Sequence, residues 1–298
     1  MQIFGALEAG GTKMVMAVFS ADGTMQDRVS IPTREPETTM PEMISYFASH
    51  HVSALGIGCF GPLDLNPDSP TYGYITMTPK LPWRMYPLTE TFQKELNVPI
   101  ALDTDVNGAA IAESQLGAAK GLSSCLYVTI GTGIGGGVII NGKPVHGLMH
   151  PELGHQLITP CPDDPSPEGF CPYHKGCLEG LASGPAMEKR WGISARDLPH
   201  DHAGWQMEAD YLAKMCVNAM MSFSPEKIIL GGGVMQQSFL IPLVRKKTLA
   251  YLGGYISSPA VDNGLEDYIV PPALGVNSGI TGAYLLACSA LASQKHPD

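Results

Sequence analysis

One short segment holds the densest group of potential metal ligands in this chain. Cys171, His174 and Cys177 follow one another at three-residue intervals, in a stretch too rich in Pro and Gly to supply much hydrophobic core. His155 lies upstream of them, and Cys161 is a rival for the same position. Structural zinc commonly takes four Cys or His ligands, often with some of them from one tight turn. The spacing therefore predicts a zinc site of Cys171, His174, Cys177 and either His155 or Cys161.

Two carboxylates flank this segment. Glu152 stands three residues before His155, and Glu179 stands two residues after Cys177. A carboxylate accepts hydrogen bonds from more than one donor, which suits a ligand that presents several hydroxyls. A metal that fixes this loop would also position the two flanking acids, which indicates a site for a polar ligand.

A further acid follows a predicted strand at residues 100–103. Asp105 lies in the sequence DTDVN, just before an alanine-rich helix predicted over residues 108–117. In α/β folds, active-site groups are common where a strand ends and a helix begins. Asp105 is therefore a candidate catalytic group, and its position also fits that of a helix N-cap.

Three glycine clusters organise the chain, at residues 10–11, 131–137 and 231–233. The first two are flanked on both sides by apolar strand patterns, which predicts two β-hairpins. Glycine turns let backbone N–H groups approach an anion. The third follows a strand pattern and leads into a helix predicted over about residues 237–251. None of them matches the P-loop pattern, or the dinucleotide pattern G-x-G-x-x-G placed between a strand and a helix. Two similar hairpins favour a duplicated architecture with two phosphate-contacting loops.

The remaining elements are a buried strand at residues 54–60 and several helices. The helices are predicted at residues 41–51, 87–96, 204–223 and 278–291. A polar, proline-bearing stretch at residues 62–83 fits either the lid or rim of a cleft or an ordinary surface loop.

Composition excludes several classes of protein. The chain has 298 residues and a net charge of -10, which argues against nucleic acid or an anionic membrane as the main partner. Its seven cysteines form no regular extracellular pattern, no signal peptide is visible, and no apolar run reaches membrane-spanning length. We expect a soluble cytoplasmic protein.

Taken in order, these motifs resemble the ROK family (repressor, open reading frame, kinase), and within it the bacterial zinc-containing fructokinases. The sequences that carry the resemblance are EAGGTK, GIGCFGPLD, TPKLPW, DTDVN, VTIGTGIGGGVIINGK, HPELGH, CPYHKGCLEGLASGPA and IILGGGVMQQ. The resemblance implies an α/β protein of the ribonuclease-H-like (actin-like ATPase) fold, with two lobes around a central cleft, usually as a homodimer. We expect an N-terminal lobe at residues 1–115, with the C-terminal helix at about 278–298 packing back on it. The second lobe is expected at residues 116–277, with the zinc loop at 155–177.

The resemblance also implies roles for individual residues. Asp105 matches the catalytic base that accepts the proton of the attacking sugar hydroxyl. Glu152, His155 and Glu179 match sugar-contacting residues, with His155 also a zinc ligand, so that zinc would be structural. Glu8 replaces an Asp of many members, an acid thought to hold magnesium, and it keeps the charge with a longer reach.

ATP with Mg²⁺ is the implied nucleotide cofactor. The residues that match the family's nucleotide-contacting loops are Gly10, Gly11, Thr12, Lys13, Thr132, Gly133, Pro185, Gly231, Gly232, Gly233, Val234 and Met235.

The implied reaction is the ATP-dependent phosphorylation of a hexose, D-fructose to fructose 6-phosphate. Thr104 and Lys80 stand where glucose-phosphorylating members usually carry Asn, and the fructokinase branch shows the same two changes. We therefore expect both to contact the sugar, with mannose or glucose as alternative substrates. Two readings from other classes are a sugar-sensing ROK regulator without its DNA-binding domain and a catalytically idle zinc scaffold.

Overall fold

A computed structural model describes residues 2–295 of the chain. It divides into two compact units, each built from separate stretches of sequence. The first unit comprises residues 1–112, 144–150 and 276–298, and the second comprises residues 113–143 and 151–275.

Both units are α/β, as the sequence predicts. The strands are β1 (Ile3–Ala9), β2 (Lys13–Ser20), β3 (Met25–Pro32), β4 (Ala54–Cys59), β5 (Ile100–Thr104), β6 (Cys125–Ile130), β7 (Ile134–Ile140), β8 (Lys143–Pro144), β9 (Ile228–Gly231) and β10 (Ile269–Val270). The α-helices are α1 (Pro36–Ser49), α2 (Leu88–Leu96), α3 (Asp105–Gln115), α4 (Leu178–Ala182), α5 (Gly184–Trp191), α6 (Gly204–Phe223), α7 (Leu240–Leu252), α8 (Pro259–Asp262) and α9 (Ser278–Lys295).

The two sheets have closely related orders. In the first unit the order is β3-β2-β1-β4-β5, and in the second it is β10-β9-β6-β7-β8. In each sheet a central strand pairs antiparallel with the strand after the glycine turn and parallel with another strand, β1 with β2 and β4, and β6 with β7 and β9. The two hairpins predicted from the glycine clusters are present, and the sheets repeat the same arrangement around them.

The first sheet is covered on both faces, because nearly every residue of β1, β2 and β4 is buried. One face packs against α1 and α2 through Met43, Phe47 and Phe92. The other face packs against α9, where the ring of Tyr284 stacks on Phe19 with centroids 4.7 Å apart. These two cores fix the ends of β1 and β5, from which the candidate acids emerge.

The helix boundaries differ from the predicted ones where proline or a cap decides. The helix predicted from residue 41 begins at Pro36, because Pro36 holds the first-turn position and Pro41 lies inside the helix. The helix predicted over residues 108–117 begins at Asp105. The one predicted from residue 237 begins at Leu240, after a 3₁₀ turn at Val234–Gln236.

Other elements follow the expected bounds. The helix at residues 204–223 is α6, and the strand at residues 54–60 is β4 with one residue fewer. The edge strand β3 was not predicted, because most of its residues are exposed and polar and show no apolar alternation. Among the helices described, none is long and apolar enough to cross a membrane.

Candidate active site

The junction of β5 and α3 presents Asp105. The hydroxyl oxygen of Thr104 accepts a hydrogen bond from the backbone N–H of Asn107 at 3.1 Å, which caps the first turn of α3. Asp105 is the first residue of the helix, and its carboxylate accepts from the N–H of Val106 at 3.0 Å. Thr104 therefore caps α3, a role that the sequence also allowed for Asp105. The Thr104 hydroxyl is engaged in this hydrogen bond.

Two acids of the first unit, Asp105 and Glu8, have raised pKa values. Burial raises the pKa of Asp105 to about 6, against the hydrogen bond from Val106. Burial, with the charge of Asp105 added to it, raises the pKa of Glu8 in β1 to about 7, while Lys13 and Arg28 act in the opposite direction. A divalent cation would stabilise both carboxylates in their charged form. A bound cation would therefore suit Glu8, the acid that the sequence predicts on the magnesium side.

Glu8 is packed against the start of α9. A Cβ atom on Gly279 would lie 2.6 Å from the carboxyl carbon of Glu8, so only glycine leaves room for the acid at this place.

A buried network surrounds Asp103, two residues before Asp105. The Asp103 carboxylate is 4 % exposed and accepts from the Asn107 side-chain amide at 2.7 Å and the Thr104 N–H at 2.7 Å. His146 Nε2 lies 3.1 Å from its second oxygen. The hydrogen bond to Asp103 raises the pKa of His146. Sequence reasoning missed His146, because no local pattern connects it with a strand more than forty residues earlier.

The first glycine turn lies between β1 and β2. The Gly10 N–H donates to the Lys13 carbonyl at 3.0 Å, and Thr33 donates its hydroxyl to the Gly10 carbonyl at 2.7 Å. A Cβ atom on Gly11 would lie 3.2 Å from Cε of Lys80. The side chain of Lys80 therefore lies against this turn.

The second glycine turn lies between β6 and β7. The Gly131 N–H donates to the Gly133 carbonyl at 2.9 Å, and the Gly131 carbonyl accepts from the N–H of Gly184 at the start of α5. The carboxylate of Glu179 accepts from the N–H of Ile134 at 2.9 Å. A Cβ atom on Gly133 would lie 2.6 Å from the same carboxylate oxygen. Glu179 therefore lies against this turn, in which Thr132 is exposed and Gly133 is half-buried.

The third cluster packs closely beneath the second turn. Gly232 has φ +95°, and a Cβ atom there would lie 2.4 Å from the Ile130 carbonyl oxygen at the end of β6. Gly231 approaches the hydroxyl of Tyr127 in the same way. Gly233 is followed by the 3₁₀ turn that includes Val234 and Met235. Pro185 lies in the first turn of α5, which Ser183 caps.

The predicted zinc ligands converge. The ligand atoms of His155, Cys171, His174 and Cys177 all lie within 4.8 Å of one another. His155 Nδ1 is 3.8 Å from the sulfur of Cys171 and 3.8 Å from that of Cys177, and His174 Nδ1 is 3.8 Å from the sulfur of Cys171. In a tetrahedral site, Zn–S of about 2.3 Å and Zn–N of about 2.0 Å separate sulfur and nitrogen by about 3.5 Å. The donor set and its spacing fit zinc.

Cys161 is engaged elsewhere. Its thiol donates to the Asp210 carboxylate at 3.0 Å, and its N–H donates to the Tyr211 hydroxyl at 3.0 Å. Burial, followed by the hydrogen bond to Asp210, raises the pKa of this thiol to about 11. Of the two candidates for the fourth position, His155 is the one that joins the cluster.

The loop between His155 and Cys171 is anchored by a buried ion pair. Asp164 is 2.8 Å from the guanidinium of Arg190 in α5 and accepts from the hydroxyl of Tyr211 in α6 at 2.5 Å. No motif in the sequence marks this anchor.

Glu179 connects the cluster with the second glycine turn. One of its carboxylate oxygens lies 4.0 Å from His155 Nε2, and the other is bonded to Ile134. Glu152 is partly buried and directly precedes the 3₁₀ turn that ends at His155. Of the five residues predicted to contact the sugar, the second unit holds Glu152, His155 and Glu179. Thr104 and Lys80 belong to the first unit, together with Asp105.

Comparisons with protein families, with named proteins and with solved structures agree on one family. The sequence model of the ROK family matches residues 4–290. The chain is 48% identical to a fructokinase of Pediococcus pentosaceus over 97% of its own length and 99% of that protein. It is 42% identical to a fructokinase of Zymomonas mobilis over 97% of each chain. A ROK hexokinase structure from Thermus thermophilus superposes with a TM-score of 0.78 at 27% identity, covering 98% of this chain and 100% of that one.

Proposed function

Because the chain belongs to the ROK family, we propose that it is an ATP-dependent sugar kinase that converts D-fructose to fructose 6-phosphate. The observation that carries this proposal is the identity of more than 40% to proteins named fructokinase, over nearly the whole length of both chains. The fold is that of the ROK sugar kinases, and ATP with Mg²⁺ belongs to that activity.

The chemistry assigned to Asp105 is proton acceptance. As the sugar's 6-oxygen forms its bond to the γ-phosphorus of ATP and the bond to ADP breaks, the hydroxyl proton passes to the Asp105 carboxylate. The raised pKa of about 6 keeps this carboxylate ionised at neutral pH yet closer to that pH than an ordinary aspartate. Glu8 would hold magnesium, directly or through water, and magnesium would neutralise charge on the phosphates.

The second unit would recognise the sugar through Glu152, His155 and Glu179. Four protein ligands would close the zinc shell, so the metal would be structural and act by orienting His155 and the loop that ends at Glu179. The separations within the cluster support this assignment.

The preference for fructose rests on the relatives' names, and mannose and glucose are the alternatives, since all three sugars offer a primary 6-hydroxyl. We also propose a cytoplasmic homodimer. Thiolate ligands and ATP dependence suit a reducing, ATP-containing compartment, and the homodimer rests on the family resemblance.

The test is a panel of fructose, mannose, glucose and a no-sugar control, with ATP and Mg²⁺ and coupled detection of ADP. Fructose should give the largest kcat/KM, and the product should carry phosphate at the 6-position. A larger kcat/KM for glucose would overturn the fructose assignment, and the absence of sugar-dependent ADP formation would overturn the kinase assignment.

A further inference from the structure

We propose that Lys80 binds the transferred phosphoryl group of ATP, and that it does so from above the first glycine turn. This inference rests on the proposed kinase function. It replaces the sugar-contacting role that the sequence predicted for Lys80.

The position of the lysine stem carries the argument. Cε of Lys80 occupies the space beside Gly11, 3.2 Å from where a Cβ atom would be. That separation is tighter than an ordinary non-bonded contact, so the lysine stem lies directly against the backbone of the turn. The same turn is closed by the hydrogen bond from Gly10 to Lys13, which leaves it narrow.

The segment that carries Lys80 is held in place by several hydrogen bonds. Thr78 is 1 % exposed, and its hydroxyl oxygen accepts from the Lys80 N–H at 3.3 Å. Arg84 donates to the Thr78 carbonyl through two nitrogens, at 3.0 and 3.3 Å. Trp83 is 2 % exposed and donates its indole N–H to the Arg34 carbonyl at 2.8 Å. A lysine on an ordinary surface loop would have no such support.

The charge of Lys80 is uncompensated. Within residues 2–295, the hydrogen bonds of Lys80 are made by its backbone, and no carboxylate pairs with its ammonium group. Partly buried and held over a glycine turn, this ammonium is placed for an anion. Phosphoryl transfer is catalysed mainly by positioning and by neutralising charge on the phosphoryl oxygens, for which lysine is a common binder. A sugar offers only neutral hydroxyls, which give an ammonium no comparable gain.

Lys80→Met removes the charge and keeps most of the stem. We expect kcat for fructose to fall about 10²-fold, the scale seen when one donor to a developing oxyanion is lost. The ratio of fructose to glucose kcat/KM should stay within about twofold. Calorimetry should show that the non-hydrolysable analogue AMP-PNP loses affinity while ADP does not. Lys80→Arg should restore part of kcat.

Lys94→Met is the matched control, because Lys94 is an exposed lysine of the same unit on α2. It should leave both kcat and the AMP-PNP to ADP affinity ratio unchanged.

A Lys80→Met protein with a changed fructose to glucose ratio and an unchanged AMP-PNP to ADP affinity ratio would overturn the proposal in favour of sugar recognition. Unchanged kcat would overturn it outright. The affinity measurements need no sugar turnover. A wild type that binds AMP-PNP through Lys80 but phosphorylates no sugar would therefore refute the proposed function and leave this inference standing.

Discussion

The two glycine turns join the same kind of strand pair but carry opposite charges against them. At residues 10–12, between β1 and β2, the side chain of Lys80 lies against the turn. At residues 131–133, between β6 and β7, it is the carboxylate of Glu179, which also accepts from Ile134. The sheet order around the two hairpins is equivalent, so the strand arrangement alone does not distinguish them.

The difference indicates that two similar hairpins serve different functions, because side chains from other segments, Lys80 and Glu179, contact them. A cation over the first turn suits phosphate. On the second turn, the carboxylate of Glu179 accepts from the N–H of Ile134. Its other oxygen lies 4.0 Å from His155 of the Cys/His cluster. We propose that the first unit neutralises charge on the phosphates and accepts the proton, and that the Cys/His cluster of the second unit serves sugar affinity.

The largest effect should come from Asp105→Asn. Because the amide cannot accept the hydroxyl proton, kcat should fall by about two to four orders of magnitude. ADP affinity and zinc content should stay unchanged, as measured by calorimetry and elemental analysis. Near-normal turnover would mean that the proton acceptor lies elsewhere and that the division between the units is wrong.

Stability provides the control for this variant. Because burial raises the pKa of Asp105, the folded protein favours the protonated acid, and ionisation costs folding free energy as the pH rises through about 6. The Asn variant keeps the Thr104 cap and should be at least as stable as wild type at pH 7. The advantage should vanish at a pH below the ordinary aspartate pKa.

Removing the proposed zinc should produce the next largest effect, on KM rather than on kcat. Cys171→Ser should lose the metal, and the KM for fructose should rise about 10- to 100-fold, because Glu179 and His155 lose their orientation. The KM for ATP should change far less. Cys161→Ser is the matched control, since the Cys161 thiol is bonded to Asp210, and it should keep one zinc per chain. Loss of zinc from the Cys161 variant would make Cys161 a ligand.

Lowering the pH of the wild-type protein should distinguish the roles of the two units. The pKa of about 6 for Asp105 applies to the protein before magnesium and ATP bind, so kcat/KM for ATP should rise with pH and level off above neutrality, with Glu8 at about 7 adding to the fall at low pH. At pH 5, kcat/KM should be at least about tenfold below its plateau, since about a tenth of the Asp105 carboxyl groups are ionised. Zinc content must be measured at each pH, because protonation of ligands releases metal. A kcat/KM for ATP that is flat from pH 5 to pH 8 would contradict the assignment of Asp105 as base.

Glu179→Gln should have the smallest effect. The amide still accepts from Ile134, but it loses the charge that strengthens this hydrogen bond. We expect kcat/KM for fructose to fall roughly tenfold, about the worth of one charge-assisted hydrogen bond, with zinc retained. Glu168→Gln, at an exposed carboxylate paired with Lys175, should change neither. An increase in the KM for ATP equal to that for fructose would assign Glu179 to the nucleotide.

The sequence predicted those parts of the fold that depend on residues close to one another in the chain. The two hairpins, the buried strand β4 and the helix α6 follow from apolar runs and glycine turns. The start of α1 was missed because two prolines compete for the first-turn position. The strand β3 was missed because its exposed face lacks the alternation that marks a strand.

The same limit applies to the candidate site. Four zinc ligands could be proposed because three of them share a seven-residue stretch, and Asp105 because it lies at a strand-to-helix junction. Asp103 with His146, and Asp164 with Arg190, are contacts between residues far apart in sequence. Their positions depend on packing that no local pattern encodes. The placement of Lys80 over Gly11 belongs to the same class.

The packing of α9 on the first sheet has a consequence for biosynthesis. During translation β1 and β2 emerge early, with Phe4, Val15 and Phe19 on a face that Ile280 and Tyr284 later cover. More than 250 residues are added to the nascent chain before that cover leaves the ribosome. Until then α9 is not available to cover this apolar face. The first unit can therefore be completed only after the whole second unit has been synthesised.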